Sequence, residues 1–392
     1  MVSEIVKKHE EWRSKCLNLI ASENVMSPAA RSLLSSDLTH RYTAPDGLYR
    51  GTKFTDEVIN EAEKLAKKLF KCKFADVRPI SGHVADLSLL MAFRGKKMAC
   101  IGPENGGYPG LAKENAPSRL NIEVHYLPFD KENMTVNLEA AVELVRRVKP
   151  DLVVLGASLI LFPYPVRELS EEVHDTGGIV AYDASHVLGL IAGGEFQDPL
   201  AEGSDIMLGS THKTLPGPQG GMMLGNGEVF GKVREELQFV TVDNAHYARI
   251  AALALTLKEM EAFGGSYARQ VVRNARKLAE SLDSEGIPVM YAEKGYTRSH
   301  QILIDTEVLS ERYGLKWEDA ALRLEESNII VDLAGRIGVS EVTRLGMKEE
   351  EMESAASLIA STIKGSPPSQ VKHTVEELRL SFQEVRYCFE GS

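Results

Sequence analysis

The chain has 392 residues, 43% of them hydrophobic and 26% charged, with a formal net charge of −11 at pH 7. That length suggests two to three domains around cores that need no disulfide or metal staple. The acidic balance argues against a nucleic-acid binder, which would want a basic face, yet it does not exclude an anionic ligand held by backbone N–H groups.

The first ten residues are polar and amphipathic, without an apolar signal core. The longest apolar stretch, Leu152 to Val166, is interrupted by glycine, serine and two prolines, so no membrane span is expected. Four cysteines, Cys16, Cys72, Cys100 and Cys388, are scattered without C-x-x-C or Cys/His metal spacing. Reduced thiols and a cytoplasmic location are expected. Cys16 and Cys388 fall in helical patterns and read as packing residues.

From about Phe74 to Leu224, short apolar runs alternate with helical patterns. The predicted strands are Ala75–Pro79, Lys97–Ile101, Ile122–Tyr126, Leu152–Leu155, Ile179–Tyr182, Asp205–Leu208 and Gly221–Leu224. Amphipathic helices are predicted at Val84–Phe93, Glu139–Lys149 and Val166–Thr176. Such alternation predicts a seven-stranded, mostly parallel sheet with helices on both faces, an α/β fold. The last two strands, joined by a short turn, should form an antiparallel edge. A long helix follows from about Tyr247 to Asp283, with Gly264-Gly265 as a candidate break. Strands at Pro288–Tyr291, Gln301–Ile304 and Ile329–Val331, with helices near Trp317–Glu326, Lys348–Lys364 and Thr374–Cys388, predict a smaller α+β C-terminal domain. The expected division is residues 1–20 as an N-terminal helical segment, 21–265 as the large domain and 266–392 as the small one.

Five places along this pattern could carry chemistry. Ser81-Gly82-His83 lies at a strand-to-helix turn, where small residues let a phosphate approach the helix N-terminus; an ordinary serine cap is the alternative. Tyr108 follows Gly106-Gly107 and could stack on a flat cofactor or stand on the surface. Asp183 ends a strand, where it could pair with a protonated pyridine nitrogen or cap the next helix. Lys213 ends another strand and is held by the stiff run Pro216-Gly217-Pro218. Desolvation there would leave an amine able to attack a carbonyl, that of pyridoxal phosphate (PLP) being the natural one; a hairpin lysine reaching solvent is the alternative. Arg336, between glycines, could hold a carboxylate bidentately or be solvated. Asp183 and Lys213 are one strand–helix–strand step apart, which would place both at the same sheet edge.

Read together, these segments resemble serine hydroxymethyltransferase, within the fold-type I PLP enzymes and nearest its archaeal branch. The resemblance rests on Leu19-Ile20-Ala21-Ser22-Glu23-Asn24 with Ser27-Pro28, on Asp183-Ala184-Ser185-His186, on Ser210-Thr211-His212-Lys213-Thr214 with Gly217-Pro218-Gln219-Gly220-Gly221, and on Arg336-Ile337-Gly338 with Val342-Thr343-Arg344. It implies PLP held covalently by Lys213 and a pyridine nitrogen paired with Asp183. His186 would lie near the phenolic oxygen, Ser81, Gly82 and His83 at the phosphate, and Tyr108, Ser158 and Asn244 around the cofactor. His212 would border the substrate, and Ser22 and Arg336 would bind its carboxylate. Tyr42 would reach the neighbouring subunit's site, which implies a homodimer.

Three departures fall on one side of that site. Ala44 stands where the family carries a proton-handling, folate-touching glutamate. Arg50 replaces the second tyrosine of a pair that keeps Tyr49. The stretch before Arg336, Val331 to Gly335, lacks a longer insertion. The pattern implies PLP chemistry on a small amino acid, serine, glycine or threonine, with weak or no dependence on tetrahydrofolate or another pterin. His83, His212 or a water would then handle the β-hydroxyl proton. A PLP-dependent aminotransferase or racemase and a non-catalytic PLP-binding paralogue are the alternatives.

Overall fold

The computed structural model describes residues 1–43, 48–238 and 240–389. The chain forms two compact units. One is Met26–Gly265 with Phe389; the other joins Met1–Val25 to Ser266–Cys388.

The first unit is built on one seven-stranded sheet: β1 (Phe74–Asp76), β2 (Lys97–Cys100), β3 (Glu123–Tyr126), β4 (Leu152–Leu155), β5 (Ile179–Asp183), β6 (Ile206–Ser210) and β7 (Gly221–Gly225). Their order is β1-β7-β6-β5-β4-β2-β3. All neighbours run parallel except β7, which is antiparallel to both β6 and β1. The sequence reading is corrected here: β7 is not an edge strand, because β1 pairs outside it. Leu152, Val153, Leu155, Val180, Ala181, Ile206, Leu208, Met222 and Leu224 are fully buried. Unbroken burial of this kind requires cover on both faces, and helices such as Gly82–Ala92, Leu138–Val148 and Val166–Asp175 lie between the strands in sequence to supply it. Each such side chain contributes about 1.5–3 kcal/mol.

The register decides where function can sit. Tyr182 of β5 faces Leu155 of β4, and Asp183 faces Leu208 of β6. The carboxyl ends of β1, β2, β4, β5 and β6 therefore open on one edge, the place where open α/β sheets bind ligands.

In the second unit, Leu17–Asn18 runs parallel to Ile329–Ile330, and Gln301–Leu303 pairs antiparallel with Arg336–Gly338. Four expectations are corrected. Pro288–Tyr291 makes only a bridge, from Val289 to Ile304. The last helix is Pro368–Leu380 rather than 374–388, with Pro368 at its first position. Cys16 and Cys388 lie outside helices; no disulfide joins the four cysteines, and burial pushes the Cys16 thiol up to about 11. The helix Tyr247–Ser284 is unbroken through Gly264-Gly265. Those glycines come close to Gly193: a Cβ at Gly264 would stand 3.8 Å from its Cα, and one at Gly265 would stand 3.7 Å from its carbonyl oxygen. Close approach, not a break, explains the pair.

Leu152→Ala would remove a side chain enclosed in an interior strand, β4. It should cost about 2–5 kcal/mol in urea unfolding. An unchanged midpoint would show that the strand is not covered on both faces.

Candidate active site

Five loops meet at the carboxyl edge of the sheet. The loop after β1 carries Ser81, whose hydroxyl caps the helix Gly82–Ala92 by accepting from the Val84 N–H at 3.1 Å. The serine-cap reading holds, and the cap aligns the N–H groups of the first turn at the edge, where a phosphate could approach them. Gly82 is forced by its neighbours. A Cβ there would stand 2.3 Å from Ser210 Oγ, 3.0 Å from Ser210 N and 3.1 Å from Ser185 Oγ. The Ser210 N–H in turn donates to Ser185 Oγ at 3.0 Å. Three segments from three strand ends are thus knotted around a missing side chain.

The loop after β5 is shaped by Asp183, which is 6% exposed and accepts from the Ser185 N–H at 2.9 Å. It does not cap the following helix, Leu188–Ala192, which has no side-chain cap. Gly156, leaving β4, has a φ of +103° and packs against the Asp183 backbone, where a Cβ would stand 2.1 Å from the carbonyl oxygen. Only glycine fits that position. Ser158 follows it, tied by its N–H to the Gly106 carbonyl at 2.8 Å. Glycine 106 also opens the loop that carries Tyr108, whose hydroxyl lies 3.0 Å from His83 Nδ1. Ser158, Tyr108 and His83 are thereby linked into one wall. Burial, then Asp86 and Asp183, push the Tyr108 phenol up to about 12, so it stays a neutral donor.

Lys213 sits in the turn between β6 and β7. Ser210 pairs with Gly221, the Thr211 N–H donates to the Gly220 carbonyl at 3.0 Å, and the Gly217 N–H donates to the Thr211 carbonyl at 2.9 Å. Thr211 Oγ1 donates to the Pro218 carbonyl at 2.7 Å. Thr214 Oγ1 donates to the His186 carbonyl at 2.9 Å, which ties the lysine turn to the Asp183 loop. His212 is half-buried, and its Nδ1 is enclosed without a hydrogen-bond partner. Burial, then the Lys213 charge, push its pKa down to about 4. At neutral pH it is an uncharged imidazole able to accept a proton.

The second unit holds the two residues expected at a substrate carboxylate. Arg336 starts the strand Arg336–Gly338 and is oriented by Asp332, which accepts from its Nε at 2.8 Å. Gly338 lies against Ala21, next to Ser22, and its N–H donates to the Leu19 carbonyl at 2.8 Å. The segment 19–21, which precedes Ser22, and the Arg336 strand are thereby packed on one another.

Tyr42 lines another cavity of this chain. Tyr42 and Tyr49 stand 5.8 Å apart between ring centroids and line a cavity of about 310 Å³ with Glu63, Arg78, Arg234 and Tyr247; neither Lys213, Asp183 nor His186 lines it. Asn244 has an enclosed Oδ1 without a partner. Ala44 lies outside the described residues, whereas Arg50 is described and is exposed. Sequence reading assigned no role to Gly156, Ser185, Ser210 or Asp86. The first three adjoin residues that were singled out. Asp86, an acid within the apolar run Val84 to Ala92, was itself a signal of a buried polar site.

These residues fit PLP: a helix N-terminus with a glycine cradle for a phosphate, a carboxylate at the end of β5, and an amine just past the end of the adjacent strand β6. Gly82→Ala should keep the secondary structure by circular dichroism but weaken PLP binding at least about tenfold, as expected for a loss of 1.4 kcal/mol. Unchanged affinity would separate Gly82 from the cofactor. The low His212 pKa means the folded protein sheds that proton while an unfolded chain holds it below about 6.5. Stability from this residue is lost as pH falls from that value toward 4. His212→Gln should therefore flatten the fall in melting temperature between pH 7 and 5; a parallel fall would refute it.

The serine hydroxymethyltransferase family model matches residues 1–359. The chain is 43% identical over 410 aligned positions to a serine hydroxymethyltransferase of Methanopyrus kandleri, covering 99% of this chain and 94% of that one. It is 39% identical over 414 positions to that of Pyrococcus horikoshii, covering 99% and 96%. Among solved structures it is similar to L-threonine transaldolase from Pseudomonas fluorescens in its internal aldimine state, with a TM-score of 0.90, 28% identity, and 99% and 93% of the two chains covered. With its lysine, aspartate and glycine cradle on one sheet edge, this chain belongs to the serine hydroxymethyltransferase family.

Proposed function

We propose that the protein is a PLP-dependent enzyme that makes and breaks the Cα–Cβ bond of small β-hydroxy amino acids, interconverting serine and glycine or cleaving threonine-class substrates. The observation that carries this reading is the meeting of Gly82, Asp183 and Lys213 on one sheet edge. When bound, PLP supplies an electron sink for the carbanion left by bond cleavage.

The protein's own residues do the rest. Lys213 offers the amine that holds the cofactor, in a turn too stiff to let it wander. Asp183 keeps a negative charge where a ring nitrogen is to stay protonated. The Ser81–His83 turn presents N–H groups to the phosphate. Tyr108 brings an aromatic face on a glycine loop, with His83 fixing its hydroxyl. Arg336, aimed by Asp332, and Ser22 bind the substrate carboxylate and orient the bond to be broken. His212, uncharged at neutral pH, is the nearest candidate in sequence to Lys213 for receiving the β-hydroxyl proton.

Pterin dependence is weak or absent in this reading. Apart from the sequence departures at Ala44 and Arg50, the short loop before Arg336 is closed on itself: Asp332 accepts from the Ala334 N–H at 3.0 Å, and its carbonyl accepts from Trp317 Nε1 at 2.8 Å. Such a loop offers no long arm to line a carrier. Tyr42 is exposed and turned into a separate cavity, which suits a role in a second subunit's site and a homodimer. No helix among the described residues is long and apolar enough to cross a membrane. That, with four cysteines in no disulfide, suits a cytoplasmic enzyme.

The test is incubation of the purified PLP-loaded protein with L-serine and L-threonine, with and without tetrahydrofolate. Formaldehyde or acetaldehyde should appear with glycine in the absence of carrier, and Lys213→Ala should abolish both products. Conversion of the cofactor to its amine form by an amino acid alone would favour an aminotransferase, and loss of optical rotation a racemase. An absorbance spectrum unmoved by glycine would mark a non-catalytic protein. A carrier requirement would overturn the pterin reading.

A further inference from the structure

Asp86 lies on the helix Gly82–Ala92, four residues after Gly82, so the two share one helix face. That face is aimed at the carboxyl ends of β5 and β6, because a Cβ on Gly82 would meet Ser210 and Ser185. Leu89 and Leu90, further along the same face, are fully buried. Asp86 is 2% exposed, and its Oδ1 is enclosed with no hydrogen-bond partner.

The same unit shows how it treats a buried carboxylate that serves the fold. Asp76 is fully buried and accepts from Arg78 Nε at 3.0 and 3.1 Å and from Arg234 Nε at 3.2 Å. Asp86 receives no guanidinium. The charged groups acting on it are Asp183, from β5, and Lys213, from the turn after β6; Tyr108, from the loop after β2, feels both carboxyls. An ionised carboxylate so placed would keep an unsatisfied buried oxygen beside a second negative charge. A protonated one would carry a hydrogen-bond donor aimed at the site.

We propose that Asp86 is a further residue of the cofactor site, a positioning residue held as a neutral carboxylic acid behind Asp183, which leaves Asp183 as the site's single carboxylate charge and offers a hydrogen bond to the bound cofactor. This rests on the PLP reading. Burial first and Asp183 second raise the Asp86 carboxyl well above the usual range, while the Lys213 charge opposes them. The sign of the linkage follows. The folded protein holds a proton that the unfolded chain releases near pH 4, so Asp86 costs stability increasingly as pH rises above that value. Ionisation of Asp86 at alkaline pH would also place a second negative charge close to the phosphate turn.

The experiment compares full-length wild type, Asp86→Asn and Asp86→Ala by thermal melts from pH 5 to 9, with and without PLP, and by absorbance titration of PLP affinity over the same range. Asparagine is neutral and nearly isosteric. Asp86→Asn should melt higher than wild type, by a margin that widens with pH. It should bind PLP within about threefold of wild type at pH 7, a difference below the tenfold that 1.4 kcal/mol represents. Wild-type affinity should fall on the alkaline side, and the Asp86→Asn profile should lack that fall. Asp86→Ala should lose at least about tenfold in affinity. If Asp86→Asn loses as much affinity as Asp86→Ala, Asp86 acts as an anion and the inference is overturned. If neither variant alters affinity, Asp86 serves only the fold and the inference is equally overturned. If wild type takes up no PLP, the functional reading falls and takes the inference with it; failure confined to the variants leaves that reading standing.

Discussion

The site depends on a side chain that is absent. Gly82 brings the start of one helix against Ser185 and Ser210, so that the ends of β1, β5 and β6 share a single contact point. Everything that follows is measured from that contact. Asp183 is two residues from Ser185, Lys213 is three from Ser210, and the helix N-terminus begins at Gly82 itself. Parallel pairing of β5 with β6 supplies the alignment, and the glycine sets the distance. Gly156 does the same on the other side of Asp183, where its positive φ lets β4 turn away without colliding with the aspartate's backbone.

What was legible in the sequence was local and strongly marked. Leu152–Leu155 reads as a buried strand because four branched apolar residues stand between turn signals, and it forms over those residues. Lys213 stood out because stiff residues follow a short apolar run. What escaped depended on partners far along the chain. Arg336–Gly338 has no strand period; it is extended because Gln301–Leu303 pairs with it and because Gly338 must lie on Ala21. Gly264-Gly265 read as a breaker, yet it is an adaptation to a neighbour invisible in local sequence. Thr306–Tyr313 is a short polar helix whose Asp305 cap, accepting from the Val308 N–H at 3.0 Å, was overlooked. The placing of β7 inside β1 could not follow from a turn length, because both arrangements use the same hairpin.

Electrostatics in the sheet unit are divided between two regimes. Around Asp76, a buried carboxylate is matched by two guanidinium groups, an arrangement that holds β1 to the helix Val229–Leu237. At the carboxyl edge the charges are few: one lysine, one aspartate, an imidazole stripped of its proton, and a phenol held neutral. With few charges at the edge, each meets little counter-charge to offset it. That suits a reaction in which negative charge must spread into a bound ring.

The turn from Thr211 to Gly220 is locked at both ends and in the middle by its own backbone, and its far side is the start of β7. For protein engineering this makes the lysine hairpin an indivisible cassette. An insertion of one residue within it would have to be absorbed either by the strand register or by the reach of the amine. Transplanting the Lys213 amine between related scaffolds therefore means moving β6, the turn and β7 together. Loops that are not woven into the sheet, such as 331–335, are where lengths can diverge while the chemistry stays put.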